Sequence, residues 1–147
     1  MRRTIKVMAA AAMMLALTAP VALGTHLSGT NDGYTNVTGK GGNDVLRGTA
    51  HPDIISGYAG ADVLYGRGGG DQVYGGSGAD FLHGGRGADF LLGDGGTDLI
   101  YGGSGDDFVD SEGDGSSDYV DCGRGHDTVV RTPGSGDTFV NCEEFLG

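Results

Sequence analysis

Eight aspartates recur at a fixed interval of nine residues: Asp44, Asp53, Asp62, Asp71, Asp80, Asp89, Asp98 and Asp107. Asp118 and Asp127 continue the series after a short slip. Carboxylates are hard oxygen donors, and a set of this kind suits Ca2+. Glycine opens each of the eight units, and it reaches backbone angles that strain other residues, so main-chain carbonyls can also turn toward an ion. These ten Asp are therefore the candidate metal ligands. Other chemistries find little support. His26, His51, His83 and His126 have no paired spacing, so zinc is not expected. His51 stands where glycine is the rule and Pro52 follows it, so that turn is expected to bind calcium poorly. There is no HExxH, GxSxG or GxxxxGK, and no catalytic residue or enzymatic activity is expected.

The elements that carry these Asp are equally periodic. Residues 39–110 divide without a gap into GKGGNDVLR, GTAHPDIIS, GYAGADVLY, GRGGGDQVY, GGSGADFLH, GGRGADFLL, GDGGTDLIY and GGSGDDFVD. Position six is always Asp, and position eight is always aliphatic, from Leu46 and Ile55 to Ile100 and Val109. A disordered linker has no reason to keep three residue types in phase over eight units. The first six positions read as a turn and the last three as a strand. In a strand the side chains alternate, so only position eight faces inward. Beyond an apparent insertion at Ser111 and Glu112, looser units run over 113–121, 122–130 and 132–140. Upstream, 30–38 reads as a decayed unit with Thr35 where Asp should stand.

GGSGADFLH and GGRGADFLL match the nonapeptide G-G-x-G-x-D-x-U-x, and the stretch resembles the RTX (hemolysin-type) calcium-binding repeats. The resemblance implies an all-β fold, a parallel β-roll in which two nonapeptides make one 18-residue coil and Ca2+ lies between successive turns. On such a coil Asp44, Asp62, Asp80 and Asp98 form one column, and Asp53, Asp71, Asp89 and Asp107 the other. Neighbouring carboxylates about 4.8 Å apart would repel by about 3–4 kcal/mol at an effective dielectric near 20. Shared cations would turn that repulsion into cross-links. Three gaps in each column imply about six Ca2+, with weaker sites toward Asp118 and Asp127. The inward residues are few, so metal binding is expected to be coupled to folding. Members of the family often carry a protease, lipase or toxin domain and a C-terminal export signal. This sequence shows neither, so toxin-type secretion is not expected.

Two cysteines, Cys122 and Cys142, follow Asp118 and Asp137 by four and five residues. On an 18-residue coil they would end stacked strands on one side, where a disulfide fits and would clamp the C-terminal end as the repeats decay. The alternative is a pair of unrelated free thiols. Positions seven and nine should face outward, and they include Phe81, Phe90, Phe108, Tyr65, Tyr74, Tyr101 and Tyr119. These rings either stack between coils or form a sticky face for a cell surface or for self-association.

Glycine makes up 32 of 147 residues, about three times ordinary usage, and proline only 3, which excludes collagen. Apolar residues reach 37%, too few for a thick core. The first 24 residues hold Arg2, Arg3 and Lys6, then a short apolar run ending at Pro20 and Ala22-Leu23-Gly24. This is the layout of a secretory signal peptide, too short to be read as a transmembrane anchor. The domain reading is 1–24 signal peptide, 25–38 short N-terminal segment or decayed repeat, 39–110 calcium-binding roll, and 111–147 degenerate repeats and cap. Beyond residue 24 six bases face twenty acids, a net charge of −14. Nucleic acid is not an expected partner. Calcium ions are, in an extracellular setting.

Overall fold

A computed structural model describes residues 26–31, 34–112 and 115–147. The expected signal segment lies outside the described residues. Among them there is no helix, and fourteen strands stack into two sheets that are parallel apart from the first strand. One sheet runs β1 (His26–Asn31), β2 (Tyr34–Thr38), β4 (Asp53–Ala59), β6 (Gln72–Ser77), β8 (Phe90–Gly95), β10 (Phe108–Ser111), β12 (Thr128–Arg131) and β14 (Glu144–Leu146). The other runs β3 (Val45–Arg47), β5 (Val63–Gly68), β7 (Phe81–Arg86), β9 (Leu99–Ser104), β11 (Tyr119–Arg124) and β13 (Thr138–Val140). From β2 onward successive strands of the chain alternate between the sheets, so two nonapeptides complete one coil. The architecture is the expected all-β parallel β-roll with 18-residue coils.

The register follows the repeat. Ile55 pairs with Val73, Val73 with Leu91 and Leu91 with Val109 in one sheet. Leu46, Leu64, Leu82 and Ile100 pair in sequence in the other. All of these position-eight side chains are fully buried, as are Val37, Val120 and Val129. The core is thus a double file, one aliphatic residue deep per strand. The insertion at Ser111 and Glu112 lengthens the coil, so Ile100 pairs with Val120 and Val109 with Val129. The decayed unit upstream also joins the stack, with Thr35 against Asp53 and Val37 against Ile55.

Three features depart from the sequence reading. The strands are six residues long where the repeat is regular, and they run on past x-U-x into the first three positions of the next unit. The inward file of alternating side chains therefore includes the first glycine of each unit, and only the rest of the turn bends. Gly78 shows why that bend is narrow: its φ is +142°, and a methyl there would overlap the carbonyl of Gly60 on the preceding coil. The other two departures are at the ends. β1 folds back antiparallel on β2, and β14 pairs with β12 to extend the stack by one strand.

Candidate metal centre

The ten candidate Asp lie inside the roll, with Asp118 the most exposed at 7%. Burial follows from alternation, because position six is two residues before the inward position eight. The structure brings Asp44, Asp62, Asp80, Asp98 and Asp118 into one file and Asp53, Asp71, Asp89, Asp107 and Asp127 into the other. Within each file the main chain and the carboxylates form a ladder. The N–H of Asp62 donates to Asp80 Oδ1 at 2.7 Å and that of Asp80 to Asp98 Oδ1 at 2.9 Å. In the second file Asp53 donates to Asp71 and Asp71 to Asp89, both at 2.8 Å. Each Asp is therefore tied to the coil before it through one oxygen. Sequence periodicity predicted the columns but carried no sign of this ladder.

The second oxygen distinguishes the middle of the roll from its ends. Among the described residues, Oδ2 of Asp62, Asp71, Asp80, Asp89, Asp107 and Asp127 is buried and accepts no hydrogen bond. At the N-terminal end Asp44 Oδ2 accepts the Lys40 N–H at 2.8 Å. Asp53 Oδ2 accepts the Thr49 N–H at 2.5 Å and the Thr49 hydroxyl at 3.1 Å. At the C-terminal end Asp137, which receives the Asp118 N–H, takes the Ser135 hydroxyl on its Oδ2 at 2.6 Å. The other file ends on Glu143, whose Oε2 accepts the Asp127 N–H at 2.9 Å. Sequence reasoning missed Glu143, because it stands outside the nine-residue phase.

A buried polar atom without a partner is costly, and a buried carboxylate more so. The electrostatics register that cost. Asp71, Asp80 and Asp107 are each raised to about 7, first by burial and then by neighbouring Asp carboxylates, against which the ladder N–H works in the opposite sense. Asp62, Asp89 and Asp127 are raised as well, again mainly by burial.

Main-chain oxygen also lies close to these carboxylates. A methyl on Gly57 would overlap both Asp62 Oδ2 and the carbonyl oxygen of Gly75 on the next coil. The same pair of oxygens meets at Gly66, from Asp71 and Gly84, and at Gly84, from Asp89 and Gly102. Carboxylate and carbonyl oxygens thus converge at each site, the donor types Ca2+ takes. Among the described residues no three His, Cys, Asp or Glu side chains converge. The oxygens gathered at each of these three positions are one carboxylate and one main-chain carbonyl.

A family model of four copies of the RTX calcium-binding nonapeptide repeat matches residues 38–73 and again residues 74–109. The chain is an RTX nonapeptide-repeat protein. RTX repeats bind Ca2+, and their family is typically structural rather than catalytic. The two matches contain eight of the ten candidate Asp and all but one of the unpartnered Oδ2 atoms named above. Neither a curated protein nor a solved structure matches this RTX chain.

At the C-terminal end of the RTX roll Cys122 and Cys142 form a disulfide, with Cα atoms 5.2 Å apart. Cys122 is fully buried and occupies the first position of its unit, where glycine stands in the regular repeats. Its partner is brought in by a local turn. β11 and β13 pair Asp121 with Val140, so strict register would put Asn141 opposite Cys122. Asn141 adopts φ +54°, a left-handed conformation that Asn tolerates, and Cys142 follows it to the sulfur.

Proposed function

We propose that this RTX protein is a secreted calcium-binding β-roll whose folding is coupled to the binding of several Ca2+ ions. The observation that carries the reading is the file of buried, unpartnered carboxylate oxygens in the middle of the roll. The ions belong at Asp62, Asp71, Asp80, Asp89, Asp98 and Asp107. Asp44 and Asp53 serve as N-terminal ladder ends, with their second oxygens held by Lys40 and Thr49. Asp118 and Asp127 are weaker sites near the disulfide. When bound, Ca2+ supplies positive charge that replaces mutual repulsion with shared coordination. Six ions would take the net charge of −14 beyond residue 24 to −2.

Secretion is supported by the layout of the first 24 residues and by the habit of the family. It also gives the coupling a use, since extracellular calcium sites can be weak and still fill. The test is circular dichroism in a chelator followed by calcium titration. The chelated chain is expected to be largely unfolded at neutral pH and to gain a β spectrum as calcium is added. A spectrum that calcium does not change would overturn the proposal.

A second reading, a calcium-stiffened adhesin or matrix component, draws on the outer face of the roll. Tyr65, Phe81, Tyr101 and Tyr119 form a continuous run with centroid separations of 5.6–6.2 Å. The rings are half-buried by this stacking, so the contacts between coils already account for their presence.

A further inference from the structure

Only six basic residues lie beyond residue 24, and three of them, Arg67, Arg86 and Arg124, line one groove on the second sheet. In a region with twenty acids this grouping runs against the composition. All three side chains are exposed. Among the described residues none of the three guanidinium groups makes a hydrogen bond or an ion pair, whereas Arg47 lies over Tyr65 and Arg131 over Phe145. The groove is shallow and open to solvent, about 630 Å3 in volume.

Register fixes the layout. Arg67 pairs with Gly85, beside Arg86, and Arg86 is followed along the stack by Ser104 and then Arg124. The arginines therefore span three coil steps, about 14 Å at the spacing of parallel strands. Gly85, Gly103 and Gly123 leave the floor between them without side chains. His83 also lines the groove, and its ring lies 6.2 Å from Tyr65 and 6.4 Å from Tyr101. The acid on the lining, Asp121, accepts the Asn141 amide N–H at 2.8 Å.

We propose that this arginine groove and the aromatic run beside it bind an acidic polysaccharide. Guanidinium groups present a planar fork that matches carboxylate and sulfate oxygens, and they carry their charge at every physiological pH. An elongated row of three such groups fits a linear chain that repeats its charge, rather than a single small anion. Tyr65, two residues before Arg67 on the same strand, puts an aromatic ring beside the row. Nucleic acid is the poorer fit, because its dense charge would meet the acids of the rest of the roll. This proposal goes beyond calcium binding and requires only that the roll is folded.

The test is calorimetric titration of the full chain, in saturating calcium, with a hyaluronate decasaccharide, neutral dextran and a single-stranded DNA 20-mer. Hyaluronate is expected to bind, dextran not to bind, and DNA to bind more weakly. The triple variant R67Q/R86Q/R124Q should lose at least tenfold in hyaluronate affinity, and Arg86→Gln alone several-fold. Calcium-dependent circular dichroism of each variant should match the wild type, which separates loss of the groove from loss of the fold. Three results would overturn the proposal: no hyaluronate binding by the wild type, unchanged binding by variants that fold, or DNA bound as tightly as hyaluronate.

Discussion

Each repeat aspartate has two oxygens with separate duties, and this division decides what its replacement would do. Oδ1 accepts the N–H of the coil before it, a hydrogen bond that an amide oxygen can also accept. Oδ2 is the atom left without a partner in the middle of the roll. Asp89→Asn should keep the ladder and weaken calcium. We expect the calcium midpoint of folding to rise about tenfold, equivalent to about 1.4 kcal/mol. Asp44→Asn should move the midpoint much less, because Asp44 Oδ2 already accepts the Lys40 N–H. Paired titrations followed by circular dichroism check this, and equal shifts would contradict the division of labour. In the core, Leu82 is fully buried in a file one residue wide. Leu82→Ala should cost about 2–5 kcal/mol in urea unfolding at saturating calcium.

At the scale of the strand and its turn, the carboxylate files make the metal-free roll sensitive to acid. Asp71, Asp80 and Asp107 move from an unfolded value of 3.8 to about 7, chiefly through burial. Between those values the folded chain holds protons that the unfolded chain has lost. Stability from these groups is full below about 4 and disappears as pH rises through about 7. A chelated sample should therefore gain β signal on acidification from neutral pH toward pH 4. Protons and calcium compete for the same oxygens, so the calcium midpoint should rise as pH falls. A chelated chain that loses structure on mild acidification would reverse the sign and refute the argument. The glycine at the start of each unit belongs to the same scale. Gly66→Ala would press a methyl against Asp71 Oδ2 and the Gly84 carbonyl, and is expected to impair calcium-dependent folding.

For the whole molecule, stability depends on how the stack is ended. Repeat stacks transmit stability between neighbours and fray from their ends. The N-terminal end is covered by the antiparallel β1, and the C-terminal end by β14 and the disulfide. Cys122 and Cys142 close a loop with a sequence separation of 20, worth about 3 kcal/mol by chain entropy. Cys122→Ser with Cys142→Ser should lower stability by about that amount in urea at saturating calcium. The loss should fall on the C-terminal coils, with hydrogen exchange rising first in 119–146 and last near the centre of the roll. Uniform acceleration along the stack would instead show that the roll unfolds as one unit.

The repeat and the inward aliphatic file were legible in the residues alone, and the 18-residue coil followed from the family resemblance. Asp, Gly and an aliphatic residue in phase over eight units leave few alternatives once side-chain alternation in strands is imposed. The two inserted residues at Ser111 and Glu112 and the cysteine spacing were legible for the same reason. Tertiary structure alone decided the rest, because it depends on what a residue meets one coil away. Asp44 and Asp80 occupy the same slot in the repeat, yet only in the stack does Asp44 spend its second oxygen on a turn N–H while Asp80 keeps its own. Glu143 ends a carboxylate file from outside the nine-residue phase, and β14 pairs where no repeat remained to announce it. Arg67, Arg86 and Arg124 are scattered along the chain, and the winding of the coil gathers them into one groove. Periodicity encodes contacts between equivalent positions, whereas ends, insertions and outward side chains are resolved only by their neighbours in space.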